Sequence, residues 1–172
     1  MDLHKLKLPS KKAFVAISAL AVFGLANANP FAYTVVKVLD GDTLIVQKSG
    51  YEQTIRLVGI DTPEIESQYR QEACYGKEAS RETKRLLPAG KAVMLLPDPY
   101  AGDKDKYGRL LRYVFVDSKM INAYLVDQGL AFNYIYSKTA SGAYFHSLEK
   151  NARQKRIGLW SDKCNYFFET KK

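Results

Sequence analysis

The chain has 172 residues, a formal charge of +8 and 47% hydrophobic residues. That is enough for one domain with its own core, and the basic balance suits a polyanionic partner, although charge alone is equally compatible with mere solubility. The composition also excludes several chemistries: two histidines, one of them in a leader-like segment, leave no histidine pair for a ribonuclease or phospholipase scheme, and two distant cysteines do not make a zinc centre.

Residues 1–28 read as an export leader. Lys5, Lys7, Lys11 and Lys12 form a basic start, Ala13 to Ala26 is uncharged and apolar, and Ala26-Asn27-Ala28 is an A-x-A cleavage pattern. The apolar run is shorter than the ~20 residues a bilayer-spanning helix needs, which favours cleavage over anchoring. The expected product is a single domain, residues 29–172, secreted or periplasmic and with a formal charge of about +5 once Asp2 and the four lysines leave. His4 leaves as well, so His146 is the only histidine of that domain. In an oxidising compartment Cys74 and Cys164 are expected to pair, for a stabilisation of ~4 to 5 kcal/mol on the chain-entropy account.

From Phe31 to Ile60 three short antiparallel strands are predicted, "FAYTVVKVL", "TLIVQK" and "TIRLVGI", with corners at Asp40-Gly41 and Ser49-Gly50. Asp-Gly is a favoured pair for a tight turn because Gly accepts positive φ without strain, so Asp40-Gly41 has a purely structural reading. Gly76 to Leu87 is a helix stopped by Pro88 and Gly90, "KAVMLLP" a fourth strand and "RLLRYVFVD" a fifth, after a polar loop from Asp98 to Gly108. "SKMINAYLVDQGL" reads as a second helix. "SGAYFHSLEKNARQKRIGLW" reads as a third, with Tyr144, Phe145, Leu148 and Ala152 on one face; His146 falls in its apolar-rich start, where packing or surface exposure is the expected role. Strands first and helices late favour a small closed antiparallel barrel with helices packed on it over a doubly wound sheet.

Pairing the second and third strands across a turn between Ser49 and Glu52 sets residue 42 opposite residues 59 to 61, give or take a residue or two. Asp42 and Asp61 thereby reach one end of the sheet, and Glu64 follows on the loop "DTPE", stiffened by Pro63. Three carboxylates together repel unless a cation joins them, and oxygen-only ligands point to a hard ion such as Ca2+ or Mg2+. A straight strand at ~3.3 Å per residue would leave Arg56 and Asp61 ~16 Å apart, so bringing them together requires a bend, for which barrel curvature and Gly59 are the candidates.

"VLDGDT", "IRLVGIDTPE", "YGKEAS", "DKYGR" and "GLW" follow one another in the order and approximate spacing of the staphylococcal nuclease (thermonuclease) family, which the chain resembles from about Val35 to Trp160. The resemblance implies an α+β fold, a five-stranded antiparallel OB-fold β-barrel with three α-helices. It also implies a monomeric Ca2+-dependent endonuclease (phosphodiesterase) that acts on DNA and RNA without regard to the sugar and leaves 3′-phosphates. Asp42, Asp61 and the Thr62 carbonyl match the family's metal ligands, Glu64 its water-orienting or deprotonating acid, and Arg56 and Arg109 its phosphate-binding arginines. Lys106, Tyr107, Tyr134 and Tyr136 match positions that line the nucleotide pocket. In that likeness Asp40 belongs to the turn, while both cysteines and the segment after Tyr136 depart from the staphylococcal pattern. A catalytically silent nucleic-acid-binding barrel is the main competing class, and a scaffold or interaction protein a third; retention of all five acidic and basic side chains argues for an enzyme.

Overall fold

The computed structural model describes residues 32–65 and 73–164; the leader, residues 1–28, lies outside the described residues. Five strands carry the fold: β1 (Ala32–Val38), β2 (Thr43–Lys48) and β3 (Tyr51–Leu57), then, beyond a two-residue strand β4 (Ile60–Asp61) and helix α1 (Gly76–Leu86), β5 (Ala92–Pro97) and β6 (Leu110–Val116). Neighbours run β3-β2-β1-β5-β6, and β3 meets β6 to close the barrel. Every junction is antiparallel except this closing one, where Ile55, Arg56 and Leu57 pair in parallel with Leu110, Leu111 and Arg112. The closed five-stranded barrel with three helices is the OB-type α+β fold.

Alternation along the strands builds the core. Leu44 and Val46 of β2, Ile55 and Leu57 of β3 and Val93 and Leu95 of β5 point inward, and each fully buried side chain of this size contributes about 1.5–3 kcal/mol. Helix α2 (Ile121–Asp127) adds Ile121, Leu125 and Val126, and α3 (Gly142–Lys155) adds Phe145, whose ring meets Tyr113 of β6 edge-on at 6.1 Å.

Several elements differ from expectation for local reasons. The second helix begins at Ile121 because Asp117 and Ser118 both take positive φ and turn β6 back on a short strand β7 (Lys119–Met120). The third stops at Lys155 because Arg156 is left-handed (φ 53°), after which Gly158–Trp160 forms a separate 3-10 turn. On α3 the buried residues are Phe145, Glu149 and Ala152, and Leu148 packs partly buried against the same core as expected; Tyr144 is half-exposed and His146 exposed. A further two-residue strand, β8 (Phe132–Asn133), pairs with β4.

Cys74 and Cys164 are joined by a disulfide with their Cα atoms 5.9 Å apart, tying the start of α1 to the segment beyond Trp160. No helix among the described residues is long and apolar enough to cross a membrane.

Candidate active site

The hairpin between β2 and β3 fixes the site. Its loop is two residues, Ser49 (φ 51°) and Gly50 (φ 82°), so Lys48 opposes Tyr51 and Thr43 opposes Arg56. Residue 42 therefore lies opposite residue 57, two residues short of 59 and at the limit of the slip allowed, and the Leu57 N–H donates to the Asp42 carbonyl at 2.8 Å. The correction arises because two positive-φ residues make the tightest hairpin, whereas the expected register assumed a looser turn. Its consequence is chemical: Arg56, and not only the acids, stands at the end of the sheet.

The bend demanded by the Arg56–Asp61 separation lies at Gly59, with φ 77°. There the chain leaves the barrel and doubles back into β4, which is held by β8 as Ile60 pairs with Asn133 and Asp61 with Phe132. Arg56 spans the bend. Its Nη1 donates to the carbonyls of Leu57 and Ile60, both at 2.8 Å, and its Nη2 reaches Asp61 at 2.6 Å and Asp42 at 3.1 Å.

Asp42 is buried, and both of its oxygens are engaged. Oδ2 accepts from the Thr62 N–H (2.9 Å) and hydroxyl (3.0 Å), and Oδ1 accepts from the Thr43 hydroxyl (3.1 Å). That hydroxyl in turn receives a long hydrogen bond from Arg109 Nη1, 3.4 Å away. Both arginines are thus connected to one carboxylate, Arg56 directly and Arg109 through Thr43. Asp40 serves the loop, its Oδ1 accepting the Asp42 N–H at 3.0 Å; burial and then the neighbouring Asp42 charge push its carboxyl above the usual range.

Asp61 is more open. Burial raises its pKa, Arg56 opposes that rise, and the charges of Asp42 and Glu64 add to it, so the three carboxylates repel one another at this end of the barrel. Glu64 is exposed on the loop after β4. Asp42 and Asp61 share one guanidinium nitrogen, which sets their oxygens within reach of a single cation, and with Glu64 close by the donor set is entirely oxygen. Such a set fits a hard divalent ion. Among the described residues no three His, Cys, Asp or Glu side chains are placed to hold a metal ion together, so an ion here would take at most two of these carboxylates and complete its shell from carbonyl and water oxygens.

Three residues that place these groups escaped the reading of the sequence. Asp105 orients Arg109: Oδ2 takes the Arg109 Nε–H at 2.6 Å, while Oδ1 accepts the N–H groups of Tyr107 and Arg109. Burial pushes the Asp105 carboxyl up, but these bonds outweigh it and hold the group below the ordinary range. An aspartate four residues before an arginine across a glycine turn was the available signal. Gly41 was legible only as half of a turn and Gly76 only as the start of a helix. Gly41 is not left-handed; a Cβ there would lie 2.5 Å from Thr62 Oγ1, so its role is close approach and not the turn conformation expected of Asp-Gly. A Cβ on Gly76 would lie 2.3 Å from the Glu64 carbonyl oxygen. Thr83 of α1 completes the support by donating to the Gly41 carbonyl at 2.7 Å.

The remaining expected residues form an exposed rim. Tyr107 is 71% exposed, with Lys106 Nζ and Arg109 Cζ lying 5.0 and 5.4 Å from its ring centroid. Tyr134 and Tyr136 meet edge-on at 5.4 Å, and the Tyr134 N–H donates to the Gly59 carbonyl beside the bend.

A basic OB-type barrel with two arginines converging on clustered carboxylates belongs to the class of proteins that handle phosphodiesters. Residues 54–162 match the family model described as staphylococcal nuclease homologue. The chain is 41% identical over 145 residues to a thermonuclease of Staphylococcus hyicus, covering 81% of each chain. It is 37% identical over 130 residues to a thermonuclease of Staphylococcus intermedius, covering 75% of this chain and 76% of that one. Endonuclease YncB of Bacillus subtilis is 36% identical over 131 residues, 74% of this chain and 61% of its own length. The chain belongs to the staphylococcal nuclease family and is a nuclease.

Proposed function

We propose that this nuclease depends on Ca2+ and hydrolyses phosphodiester bonds of DNA and RNA regardless of the sugar, breaking the 5′ P–O bond and leaving 3′-phosphates. Attack by water on phosphorus gathers negative charge on the non-bridging oxygens, and preorganised positive groups lower that barrier. The observation carrying the reading is that Arg56 contacts Asp42 directly while Arg109, held by Asp105, reaches it through Thr43, which brings two planar, permanently charged groups beside one carboxylate. Asp42, Asp61 and the Thr62 carbonyl would hold the ion, which when bound supplies Lewis-acid stabilisation of the phosphate oxygens. Glu64 orients the attacking water or takes its proton. Arg56 and Arg109 stabilise the charge of the phosphorane-like transition state. Lys106 meets a phosphate, and Tyr107, Tyr134 and Tyr136 offer faces on which any base stacks, which suits low selectivity.

The same reading makes the protein an exported monomer, with residues 1–28 as leader and 29–172 as the working domain, secreted or periplasmic. The closed Cys74–Cys164 disulfide supports an oxidising destination.

Digestion of single-stranded DNA and of RNA, with Ca2+ and with chelator, tests the proposal beside Glu64→Gln. Cleavage of both polymers with Ca2+ is expected, abolished by chelator and reduced at least ~100-fold in kcat by the substitution. Equal activity in chelator would overturn the metal-dependent mechanism, and binding without cleavage would select the silent-barrel alternative.

A further inference from the structure

A small hydrophobic cluster separate from the barrel core gathers Ala152 of α3 with Leu159 and Trp160 of the 3-10 turn, and Tyr75 and Phe132 pack against it. These last two lead to two of the three acids. Phe132 is the β8 partner of Asp61, and its ring meets Trp160 edge-on at 5.4 Å. Tyr75 belongs to the turn at residues 73–76, where the Ala73 N–H donates to the Glu64 carbonyl at 3.0 Å and Gly76 packs on the same oxygen too closely for a Cβ. The cluster is itself anchored, because the Leu159 N–H donates to the Gly129 carbonyl at 2.7 Å just beyond α2.

The turn that holds Glu64 is one its residues do not favour. The Gly76 N–H donates to the Ala73 carbonyl at 2.9 Å and closes four residues, while Tyr75 takes the left-handed conformation (φ 69°, ψ 8°) that a residue with a Cβ adopts only at a cost. Such a backbone persists where its surroundings hold it. Two restraints do so here: Tyr75 rests on the Trp160 cluster, and Cys74, beside it in the turn, is bonded to Cys164 beyond that cluster. On its other side Glu64 follows Thr62, whose N–H and hydroxyl are both fixed on Asp42. The disulfide therefore secures the second of two supports between which Glu64 is carried.

We propose that the Cys74–Cys164 disulfide is a positioning element of the nuclease, clamping the turn at residues 73–76 so that the backbone presents Glu64 to the attacking water. The barrel core contains neither cysteine, so opening the disulfide leaves the barrel and the Arg56–Asp42 contact in place and frees only the turn. The proposal rests on the role given to Glu64 above and extends it to a covalent support outside the site.

A dithiol reductant perturbs this support without a substitution: it gives two electrons and two protons to the S–S bond, leaving two cysteine thiols and becoming a disulfide itself. The test measures kcat and KM on single-stranded DNA with Ca2+ for the oxidised full chain, the reduced full chain and Cys74→Ser/Cys164→Ser, and repeats the series in the Glu64→Gln background. Each form is assayed at a temperature where far-ultraviolet circular dichroism shows it folded. Reduction and the double substitution are each expected to lower kcat about 10-fold with KM changed by less than about 2-fold, since a small misplacement of a reacting group is costly. Reoxidation should restore the reduced chain, and no further loss should follow in Glu64→Gln, because the two changes act through one group. An unchanged kcat in the reduced chain, a loss that appears only together with loss of the folded signal, or an equal loss in the Glu64→Gln background would overturn the positioning role and leave the hydrolytic reading standing. Glu64→Gln cutting as fast as the unmutated chain would overturn both.

Discussion

Asp98 and Asp61 are both aspartates set where separate chain segments meet, and their surroundings push them in opposite directions. Asp98 is buried just after β5 and accepts from the N–H groups of Tyr100, Ala101 and Ala140 and from the Tyr113 hydroxyl. Burial raises its pKa, but these four donors outweigh it and leave the carboxyl below the ordinary range. Asp61 has one strong partner, Arg56, and two acidic neighbours, and its carboxyl is raised. A carboxylate met by neutral dipoles on every side is a fastener. One that is left partly in conflict with like charges gains from any cation that joins it, as the proposed function requires of Asp61.

The largest effect expected from this contrast is on stability, at the fastener. Asp98→Ala would leave a phenol and three N–H groups without their acceptor at the junction of the loop after β5, β6 and the start of α3. A loss of about 4 kcal/mol is expected, read from a shifted urea midpoint with unchanged slope. Catalysis by the molecules that remain folded should change little, because the Asp98 contacts do not reach the Asp42 cluster.

Next in size, Arg109→Ala should lower kcat at least ~100-fold, equivalent to about 2.7 kcal/mol at the transition state, while moving the urea midpoint hardly at all. The comparison would break if Arg109→Ala unfolded the protein, or if Asp98→Ala inactivated it without destabilising it. Asp105→Asn sharpens the same point at smaller scale. Asparagine keeps an acceptor for the backbone N–H groups but loses the charge that holds Arg109 Nε, and a decrease in kcat of about 10-fold is expected, with the fold intact.

How much of this was legible in the sequence divides along the same line. Alternation and turn residues revealed the five barrel strands, and the five acidic and basic groups stood in motifs whose order carried the family likeness. What stayed hidden was set by contacts between distant segments. Whether the hairpin loop held two residues or more decided whether residue 42 opposes 57 or 59, and hydrophobic pattern cannot resolve so small a slip. Gly41 against Thr62 and Gly76 against the Glu64 carbonyl are requirements for an absent Cβ, invisible until the chain is folded. The Asp98 fastener was passed over as the first residue of a polar loop, because nothing local announces that Tyr113 and Ala140 will converge on it. The β4–β8 pair that steadies Asp61 is too short to leave a periodicity.

The smallest effect is also the most discriminating, since it depends on a sign. A carboxylate lowered on folding, such as Asp98, adds stability above the unfolded-state value of ~3.9, and that contribution fades as pH falls through the folded one. Glu82, held at about 2 first by its hydrogen bonds from Arg85, behaves alike, with its contribution lost between about pH 4 and 2. Asp61, raised on folding, does the reverse: its ionised form weakens the fold at neutral pH, and protonation relieves the strain as pH falls through the raised value. In chelator at pH 7, Asp98→Asn should therefore melt below the unmutated chain, whereas Asp61→Asn should melt at the same temperature or slightly above it. Both differences should shrink on acidification, from opposite sides. A lower melting temperature for Asp61→Asn at pH 7 would mean that the attraction of Arg56 exceeds the combined cost of burial and acidic neighbours, and the distinction between fastener and poised carboxylate would fail at that residue.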